Sequence, residues 1–416
     1  MLQMNPRPSG VKFGQLVSSL VRMKAFQAAF YASKRMELAG VPHDLYTLSM
    51  MLRCFCKLGR VDFGYSVLSK ALKLGIQFND VMLNTLIDGL CKVGKVIEAA
   101  RLAHKIRILG YQPNVVSYST IIDGLCKSGL VSKALDVFSE MGDRKIQPNV
   151  ITYNSLIYGL CTSSSRNKAM MLLHEMADRK IMPDKFTYSI LVDSFCKEGN
   201  VLGAKVILKM MIQRGLIPHV IIYNSLMDGY SLRSQVDKAR KLFDSMANWG
   251  CKHDVYSYNI MIHAYCNNKR MDKAGREKEA REMFSRLSRE NCLQPDTRTY
   301  NITINGLCRQ RFVDEAYELF RKMEAEDSCV PDNCSYNVII HGFLRHKDPL
   351  EAMDLILEMV SKGFSADATT MSLLLEMLPK NQLDHPILQK LLNSPDTKSH
   401  KIGSSGLSAA ATQGTC

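Results

Sequence analysis

The 416-residue sequence has little of what would make a loop-rich, all-β or membrane-spanning protein. It contains only 13 proline and 25 glycine residues, whereas its 24 methionines and abundant leucine, alanine, lysine and glutamate favour helices. No stretch approaches the roughly eighteen uninterrupted apolar residues that a membrane-spanning helix needs. The most apolar run, 219–230, is broken by His219, Asn224 and Asp228. These absences predict an all-α chain without a membrane-spanning segment.

Acidic residues are scarce relative to basic ones. The 40 Asp and Glu residues face 54 Lys and Arg residues, which gives a formal net charge of +14 at pH 7. A hydrophobic content of 46% with 23% charged residues is that of a folded chain and excludes wholesale disorder. The positive surplus favours a polyanionic partner, although many basic enzymes share it, so composition alone leaves nucleic acid at even odds.

The thirteen cysteines form neither a C-x-x-C pair nor a His/Cys cluster with zinc spacing, so no metal and no cofactor are predicted. Instead, five of them follow one another at a step of 35 residues: Cys56, Cys91, Cys126, Cys161 and Cys196. One cysteine per repeat indicates a packing position filled by a small, buried, reduced thiol.

Other residue types keep the same step of 35 residues, and such a period is typical of a solenoid whose units pack only on their neighbours. The tyrosine series is Tyr118, Tyr153, Tyr188, Tyr223 and Tyr258, and the alanine series is Ala99, Ala134, Ala169, Ala204, Ala239 and Ala274. In the unit 115–149, apolar residues at helical spacing within 121–125 and 134–141 flank a turn signal at 127–129. Each unit is therefore predicted to be a helical hairpin.

The period predicts ten repeats after an N-terminal segment 1–9, which we interpret as the remainder of a targeting sequence. Their bounds are 10–44, 45–79, 80–114, 115–149, 150–184, 185–219, 220–254, 255–296, 297–332 and 333–367. Repeat eight carries seven extra residues, expected around 275–281, where they would lengthen a helix without breaking the stack. A partial eleventh repeat from 368 ends the array at 378, and a capping helix at 379–395 and a disordered tail at 396–416 are predicted to follow.

The strings VITYNSLIYGLC, VIIYNSLMDGY and VVSYSTIIDGLCKSG, followed by EM or KM and a closing P-[DN], resemble pentatricopeptide repeats of the P class. The resemblance covers residues 10 to about 378 and is closest to the fertility-restorer-like branch of plants. Tetratricopeptide repeats have a period of 34 and a tryptophan-containing opening, whereas Trp249 is the only tryptophan here. The resemblance implies a right-handed superhelical α-solenoid that binds single-stranded RNA, one base per repeat.

By the same resemblance, the fifth and the last residue of each repeat contact the base. For repeats two to ten these pairs are Ser49 and Asn79, Asn84 and Asn114, Ser119 and Asn149, Asn154 and Asp184, Ser189 and His219, Asn224 and Asp254, Asn259 and Asp296, Asn301 and Asp332, and Asn337 and Asp367. Helix capping is the alternative role for both positions, and at the last position the two roles can coexist.

The resemblance also implies a base for most pairs. Asn with Asp favours uracil, Asn with Asn a pyrimidine, and Ser with Asn adenine. Repeats two to ten then read adenine, pyrimidine, adenine, uracil, unassigned, and four uracils. The pair Ser189 and His219, and Gly14 with Asp44 in repeat one, match no familiar combination.

Two further series are candidate RNA contacts. The second residue of most repeats is apolar and could stack on bases, or else belong to the core between repeats: Tyr46, Val81, Val116, Ile151, Phe186, Ile221 and Tyr256. The polar Arg298, Cys334 and Thr369 depart from this rule. Basic residues at the thirteenth position could meet phosphates, or else be solvated loop charges: Arg22, Lys57, Lys92, Lys127, Lys197, Arg309 and Arg345.

The sequence lacks the H-x-E and P-C-x-x-C elements of a zinc deaminase, a Gly-rich phosphate loop and, after 378, room for a nuclease domain. The predicted protein is therefore a non-enzymatic RNA binder, with protein cofactors for RNA processing as further partners and no membrane or small-molecule substrate. The alternatives are a peptide-binding helical scaffold and a degenerate copy without strong binding.

Basic residues without an acid before Glu37 are typical of a presequence, yet residues 10–44 also complete a repeat. Mitochondria are expected, with chloroplasts as the alternative.

Overall fold

The computed structural model describes residues 10–108, 111–267, 273–289, 293–325 and 329–377. The predicted segment 1–9, the capping helix 379–395 and the tail 396–416 lie outside these ranges. Within the described ranges the chain forms helices and no strand, and none of these helices is long and apolar enough to cross a membrane. The predicted all-α class is confirmed, whereas the handedness of a superhelix stays a prediction.

The helices alternate along the chain as first and second helices of successive hairpins. In order they are α1 Gly10–Arg22, α2 Phe26–Leu38, α3 Leu45–Lys57, α4 Val61–Lys73, α5 Asp80–Lys92, α6 Val96–Ile108, α7 Val115–Lys127, α8 Val131–Asp143, α9 Val150–Thr162, α10 Arg166–Asp178, α11 Lys185–Lys197, α12 Val201–Gln213, α13 Val220–Leu232, α14 Val236–Met246, α15 Val255–Asn267, α16 Lys273–Arg289, α17 Thr297–Arg309, α18 Val313–Ala325, α19 Asn333–Arg345, α20 Pro349–Ser361 and α21 Ala368–Met377. A 3₁₀ turn, Ala247–Trp249, follows α14. Odd numbers are first helices and even numbers are second helices.

Local sequence sets where a first helix begins and ends. Asn149 caps α9, because its side chain accepts from the backbone N–H of Thr152 and the Thr152 hydroxyl accepts from the Asn149 N–H in return. The end of a first helix is seen at α7. Gly129, just after this helix, takes a left-handed φ of 74° that a residue with a side chain adopts only at a cost. The N–H of Leu130 then donates to the carbonyl of Leu125, which closes the turn into the second helix.

The chain forms two compact units, the first comprising residues up to 194 with 204–217 and the second comprising 195–203 with 218 onward. In the first unit α3, α5, α7 and α9 lie side by side, and α6 and α8 each pack on the first helix of the next repeat. The second unit has the same arrangement in α13, α15, α17, α19 and α21, against which α14, α16 and α18 pack. Second helices thus cover one side of each layer of first helices. We call the other side, which carries residues such as Val116 and Ile151, the first-helix face.

The cysteine series marks where neighbouring first helices approach most closely. A Cβ atom built on Gly159 of α9 would lie 2.6 Å from the Cys126 Sγ and 2.8 Å from its Cβ in α7. The same pairing of glycine with the cysteine of the preceding repeat recurs as Gly89 with Cys56, Gly124 with Cys91, Gly229 with Cys196, Gly306 with Cys266 and Gly342 with Cys308. Burial raises the pKa of the Cys91 and Cys126 thiols to about 12, so they stay protonated and unreactive. The predicted packing role of the cysteines is therefore correct for these residues.

The extra residues of repeat eight lengthen its second helix. Helix α16 has 17 residues where α14 has 11 and α18 has 13. Its buried stripe runs through Ala280 and Leu287, which match Ala316 and Met323 of α18. The buried alanine that corresponds to Ala316 is therefore Ala280, and the side chain of Ala274 lies outside the described ones. The extension places four additional residues before Ala280, and four residues are close to one turn, so the buried stripe keeps its side.

Replacing Gly159 by Ala tests whether the close approach of first helices limits stability. We expect Gly159→Ala to lower the free energy of unfolding by about 1 to 3 kcal/mol, because the added methyl overlaps Cys126 and its backbone. Chemical unfolding followed by circular dichroism measures the change. Gly142→Ala in α8 is the matched control, since nothing lies within 4 Å of a Cβ there, and it should stabilise by roughly 0.5 to 1 kcal/mol. Equal effects of the two substitutions would refute the role of the glycine series.

Candidate nucleic-acid interface

The second residues of the repeats lie open on the first-helix face. The apolar members of this series have exposed fractions between 43% for Tyr256 and 67% for Phe186. The alternative interpretation, that they form the core between repeats, is wrong for this reason. Arg298, Cys334 and Thr369, which depart from the apolar rule, are exposed as well. The face therefore carries a series of flat or branched apolar side chains that are exposed to solvent.

The fifth and the last residue of a repeat meet directly. The Asn154 Nδ2 donates to the Asp184 Oδ1 at 3.1 Å, and the Asn224 Nδ2 donates to the Asp254 Oδ1 at 3.0 Å. Longer contacts of 3.4, 3.4 and 3.5 Å join Asn84 with Asn114, Asn259 with Asp296, and Asn301 with Asp332. The structure thus brings together the side chains of five of the nine pairs that the resemblance assigned to base contact, and in repeat ten the Asp367 backbone N–H donates to the Asn337 Oδ1 at 2.9 Å. Which base each pair selects stays a prediction.

The last residue of the repeat also caps the next helix. The Asp254 Oδ1 accepts from the Ser257 backbone N–H at 2.8 Å, and the Asp184 Oδ1 accepts from the Thr187 N–H at 2.9 Å. Capping at this position, the alternative considered from the sequence, is therefore present together with the contact to the fifth residue. His219 begins α13 without such a side-chain cap.

Residues at the fifth position are not caps. The Ser49 Oγ donates to the Leu45 carbonyl and the Ser189 Oγ to the Lys185 carbonyl, both at 2.6 Å and within their own helices. Ser119 shares a hydrogen bond of 2.7 Å with the Thr152 hydroxyl. The capping interpretation of the fifth position is therefore wrong.

The sequence analysis missed a third group of the site, which is the hydroxyl at the third position of a repeat. The hydroxyl at the third position of a repeat donates to the amide oxygen of the preceding repeat's fifth residue, as in Ser257 to Asn224 at 2.7 Å. The same bond runs from Ser117 to Asn84, from Thr187 to Asn154 and from Thr370 to Asn337, at 2.6 to 2.7 Å. The recurrence of Ser or Thr at this position, in Thr47, Ser117, Thr152, Thr187, Ser257, Thr299, Ser335 and Thr370, was the signal that could have revealed it.

In the second unit the first-helix face is hollowed into a cavity of about 750 Å³. Two fifth–last pairs, Asn259 with Asp296 and Asn301 with Asp332, line it together with the second residues Tyr256, Arg298 and Cys334. The Arg298 guanidinium carbon lies 5.2 Å from the centre of the Tyr256 ring, which is a cation–π contact. Within the described residues, no group of three His, Cys, Asp or Glu side chains is placed to hold a metal ion.

Two carboxylates of this cavity, Asp296 and Asp332, have lowered pKa values that favour their charged form. Burial opposes ionisation of Asp332, but hydrogen bonds from the Ser335 backbone and hydroxyl and from the Asn301 amide outweigh it and lower the pKa. The pKa of Asp296 is lowered in the same way against burial, by hydrogen bonds from Thr299 and Asn259. Both side chains therefore act as acceptors at neutral pH.

All seven basic residues of the thirteenth position are exposed at the ends of first helices. Two of them already have acidic partners one turn earlier: Lys92 pairs with Asp88, and the Lys127 Nζ lies 2.7 Å from the Asp123 Oδ2. The Arg309 guanidinium donates to the Asn267 side chain at 2.6 Å. Because exposed ion pairs of this kind contribute little, they leave the lysines free to exchange a carboxylate for a phosphate. Contact with phosphates stays a prediction.

Family models match most of the array. The model described as the PPR repeat family matches residues 79–127, 113–162, 152–197, 218–267 and 331–380, together more than half of the chain. Two models described as PPR repeat match 291–324, and 46–76 with 186–216.

Two similar proteins are mitochondrial pentatricopeptide repeat-containing proteins of Arabidopsis thaliana. They are 40% identical over 89 residues and 39% identical over 75 residues. These segments cover 21% and 18% of this chain but only 15% and 12% of the relatives. The matched part is thus a small fraction of each relative.

Among solved structures, the pentatricopeptide repeat protein PPR10 from maize is similar with a TM-score of 0.51 at 21% identity, over 89% of this chain and 61% of that chain. PPR10 in complex with an 18-nt psaJ RNA element gives a TM-score of 0.53 at 22% identity, over 88% and 57%. At such identities the likeness shows a common fold.

The lowered carboxylate pKa values predict an acid-sensitive contribution to stability. Since the folded-state pKa of Asp332 lies below its usual 3.8, the contribution is complete above the unfolded-state pKa and is lost as the pH falls through the folded-state pKa. Asp332→Asn keeps a cap acceptor of the kind that Asn149 provides but removes this titration. We expect wild type to exceed the variant in urea midpoint at pH 7, and the difference to shrink below about pH 4. A difference that is independent of pH would contradict the assignment.

Proposed function

The chain belongs to the PPR repeat family, and we propose that it binds single-stranded RNA along the first-helix face, one base per repeat. One observation carries the proposal: a hydrogen-bonded fifth–last pair lies beside an exposed apolar second residue in repeats three, five, seven and eight. Stacked repeats present equivalent side chains at regular intervals, which suits a ligand that is itself a regular polymer. Apolar side chains then stack on the bases while the polar pair reads their edges.

The proposed base order follows the pairs. Repeats two to four read adenine, a pyrimidine and adenine, repeat five reads uracil, and repeats seven to ten read four uracils. The Asn amide offers a donor and an acceptor, and the carboxylate beside it is a further acceptor, so each Asn–Asp pair can meet the mixed donor and acceptor edge of uracil. Repeat six, with Ser189 and His219, has no assigned base.

The proposed role is binding without catalysis. By masking or exposing a segment of a transcript, the protein would influence its processing, stability or translation, together with protein cofactors that carry out the chemistry. The names of the Arabidopsis relatives place those proteins in mitochondria, which supports a mitochondrial location here, with the chloroplast as the alternative. PPR10 bound to an RNA element supports RNA as the ligand class. Membership of the fertility-restorer-like branch stays a prediction.

The salt dependence of binding tests the RNA proposal. If each of the seven basic residues of the thirteenth position neutralises one phosphate, log affinity should fall against log salt with a slope of roughly −5, at about −0.7 per contact. Replacing both Lys92 and Lys127 by Ala should flatten the slope by about one to two units for every RNA sequence. Filter binding at several salt concentrations gives the slope. If the protein binds peptides in a salt-insensitive way and has no measurable affinity for RNA, the helical scaffold is favoured instead. If it binds neither RNA nor peptides, it is a degenerate copy.

Base readout is tested at repeat seven. Asn224→Ser keeps Asp254 as an acceptor, shortens the reading side chain and leaves room for a purine, which the family resemblance identifies as guanine. We expect several-fold weaker binding to RNA with uracil at that position, because a single mismatch costs about 1 to 3 kcal/mol. Affinity should recover when that one base is changed to guanine, with an unchanged salt slope. Equal weakening on both RNAs would show that Asn224 is structural.

A further inference from the structure

On the basis of the proposed RNA binding, we infer that repeats eight and nine distinguish uracil from cytosine more strictly than repeats five and seven, although all four carry an Asn–Asp pair. The difference lies in the third-position hydroxyl of the following repeat, which restrains the Asn amide in repeats five and seven but not in repeats eight and nine. We call this hydrogen bond from the hydroxyl to the amide oxygen the latch.

The latch is present in repeats five and seven. The Thr187 hydroxyl lies 2.7 Å from the Asn154 Oδ1, and the Ser257 hydroxyl lies 2.7 Å from the Asn224 Oδ1. Each of these amides also donates through Nδ2 to the last residue of its repeat. With its oxygen held by a hydroxyl, the amide can turn toward a base edge only by breaking that bond.

The latch is absent in repeats eight and nine. The Thr299 hydroxyl donates to the Asp296 Oδ1 at 2.7 Å and the Ser335 hydroxyl donates to the Asp332 Oδ1 at 2.9 Å, and neither reaches the preceding asparagine. The amide oxygens of Asn259 and Asn301 are buried, and no residue in the described part of the chain donates to them. A buried acceptor without a donor costs free energy that a ligand N–H recovers on binding.

Repeat length explains the difference. The fifth and the last residue of a repeat are 30 positions apart in repeats five and seven, but they are 37 apart in repeat eight and 31 apart in repeat nine. Repeats three and ten, which again have a spacing of 30, keep the latch at 2.6 Å. In the two repeats with a longer spacing, the third-position hydroxyl of the following repeat bonds to the last residue and not to the asparagine.

The two asparagine amides without a latch, which we call released amides, line the same cavity. Asn259, only 3% exposed, and Asn301 both line the cavity of about 750 Å³, together with Tyr256 and Arg298. That volume lies within the range of small-ligand pockets, and it extends across both repeats, so two adjacent bases can occupy it.

Amide chemistry connects the latch with base choice. Uracil presents a ring N–H between two carbonyl oxygens, whereas cytosine presents a ring nitrogen acceptor beside an amino group. A released amide offers both its acceptor oxygen and its donor N–H, which complements uracil. A latched amide offers its N–H alone, which either a carbonyl oxygen of uracil or the carbonyl oxygen or ring nitrogen of cytosine can accept. Repeats eight and nine therefore form the strict uracil pair of the array.

The test compares single uracil-to-cytosine changes along one RNA. The probe is a nine-nucleotide single strand with the proposed base order, any base opposite repeat six, and the polarity that binds more tightly. On the full chain, we expect the change to weaken binding about tenfold opposite repeats eight and nine and at most about threefold opposite repeats five and seven, where tenfold corresponds to about 1.4 kcal/mol. Equal losses at all four positions would overturn the inference.

Two matched variants isolate the latch. Ser257→Ala removes a hydroxyl that bonds to both Asp254 and Asn224, whereas Ser335→Ala removes an equivalent hydroxyl that bonds to Asp332 alone. We expect Ser257→Ala to raise the uracil-to-cytosine ratio opposite repeat seven by about three- to tenfold, and Ser335→Ala to leave the ratio opposite repeat nine unchanged. Because both changes weaken a capping box to the same degree, lost stability alone cannot produce this contrast.

The outcomes separate the two proposals. If wild type binds no RNA, the proposed function fails. If it binds RNA but Ser257→Ala leaves the ratio opposite repeat seven unchanged, or Ser335→Ala shifts the ratio opposite repeat nine equally, the role of the latch fails and RNA binding stands.

Discussion

The close approach of successive first helices is the constraint on which the rest of the structure depends. A glycine in one helix accepts the cysteine of the preceding repeat so tightly that a single added carbon would overlap it, as at Gly159 and Cys126. This contact sets the spacing and rotation between neighbouring repeats. Because close-packed interiors transmit small displacements, everything carried by the first helices inherits that spacing. The exposed second residues of the first-helix face are among the side chains that these helices carry.

The polar site depends on the same spacing, because the bonds from Asn224 to Asp254 and from Ser257 to Asn224 join residues of successive first helices and their caps. Asp254 caps α15, accepts from Asn224 of α13 and also accepts from the Ser257 hydroxyl. One side chain thereby stabilises a helix start and orients a candidate reading group. Capping, one of the two roles weighed from the sequence at the last position, is therefore present, and base contact stays a prediction.

Repeats eight and nine are longer than the regular period of 35 residues. The residues added to repeats eight and nine leave the helix stack in place, since α16 keeps its buried stripe through Ala280 and Leu287. They do alter the junction between repeats, where Thr299 and Ser335 no longer reach Asn259 and Asn301. A small change in chain length thus adjusts side-chain geometry in the site without changing residue types at the reading positions.

The sequence by itself determined the helical class and the hairpin unit, because periodicity records which residues occupy equivalent places, whereas the fifth–last pairs followed from the family resemblance. It also indicated the packing role of cysteines such as Cys126. Only the tertiary structure decided that Val116 and its equivalents lie exposed, that Ser257 bonds to Asn224, and that Ala280 lies in the buried stripe of α16. The reason is physical: a period shows equivalence along the chain, whereas exposure and hydrogen bonding depend on distances between helices, which a shift of one residue changes.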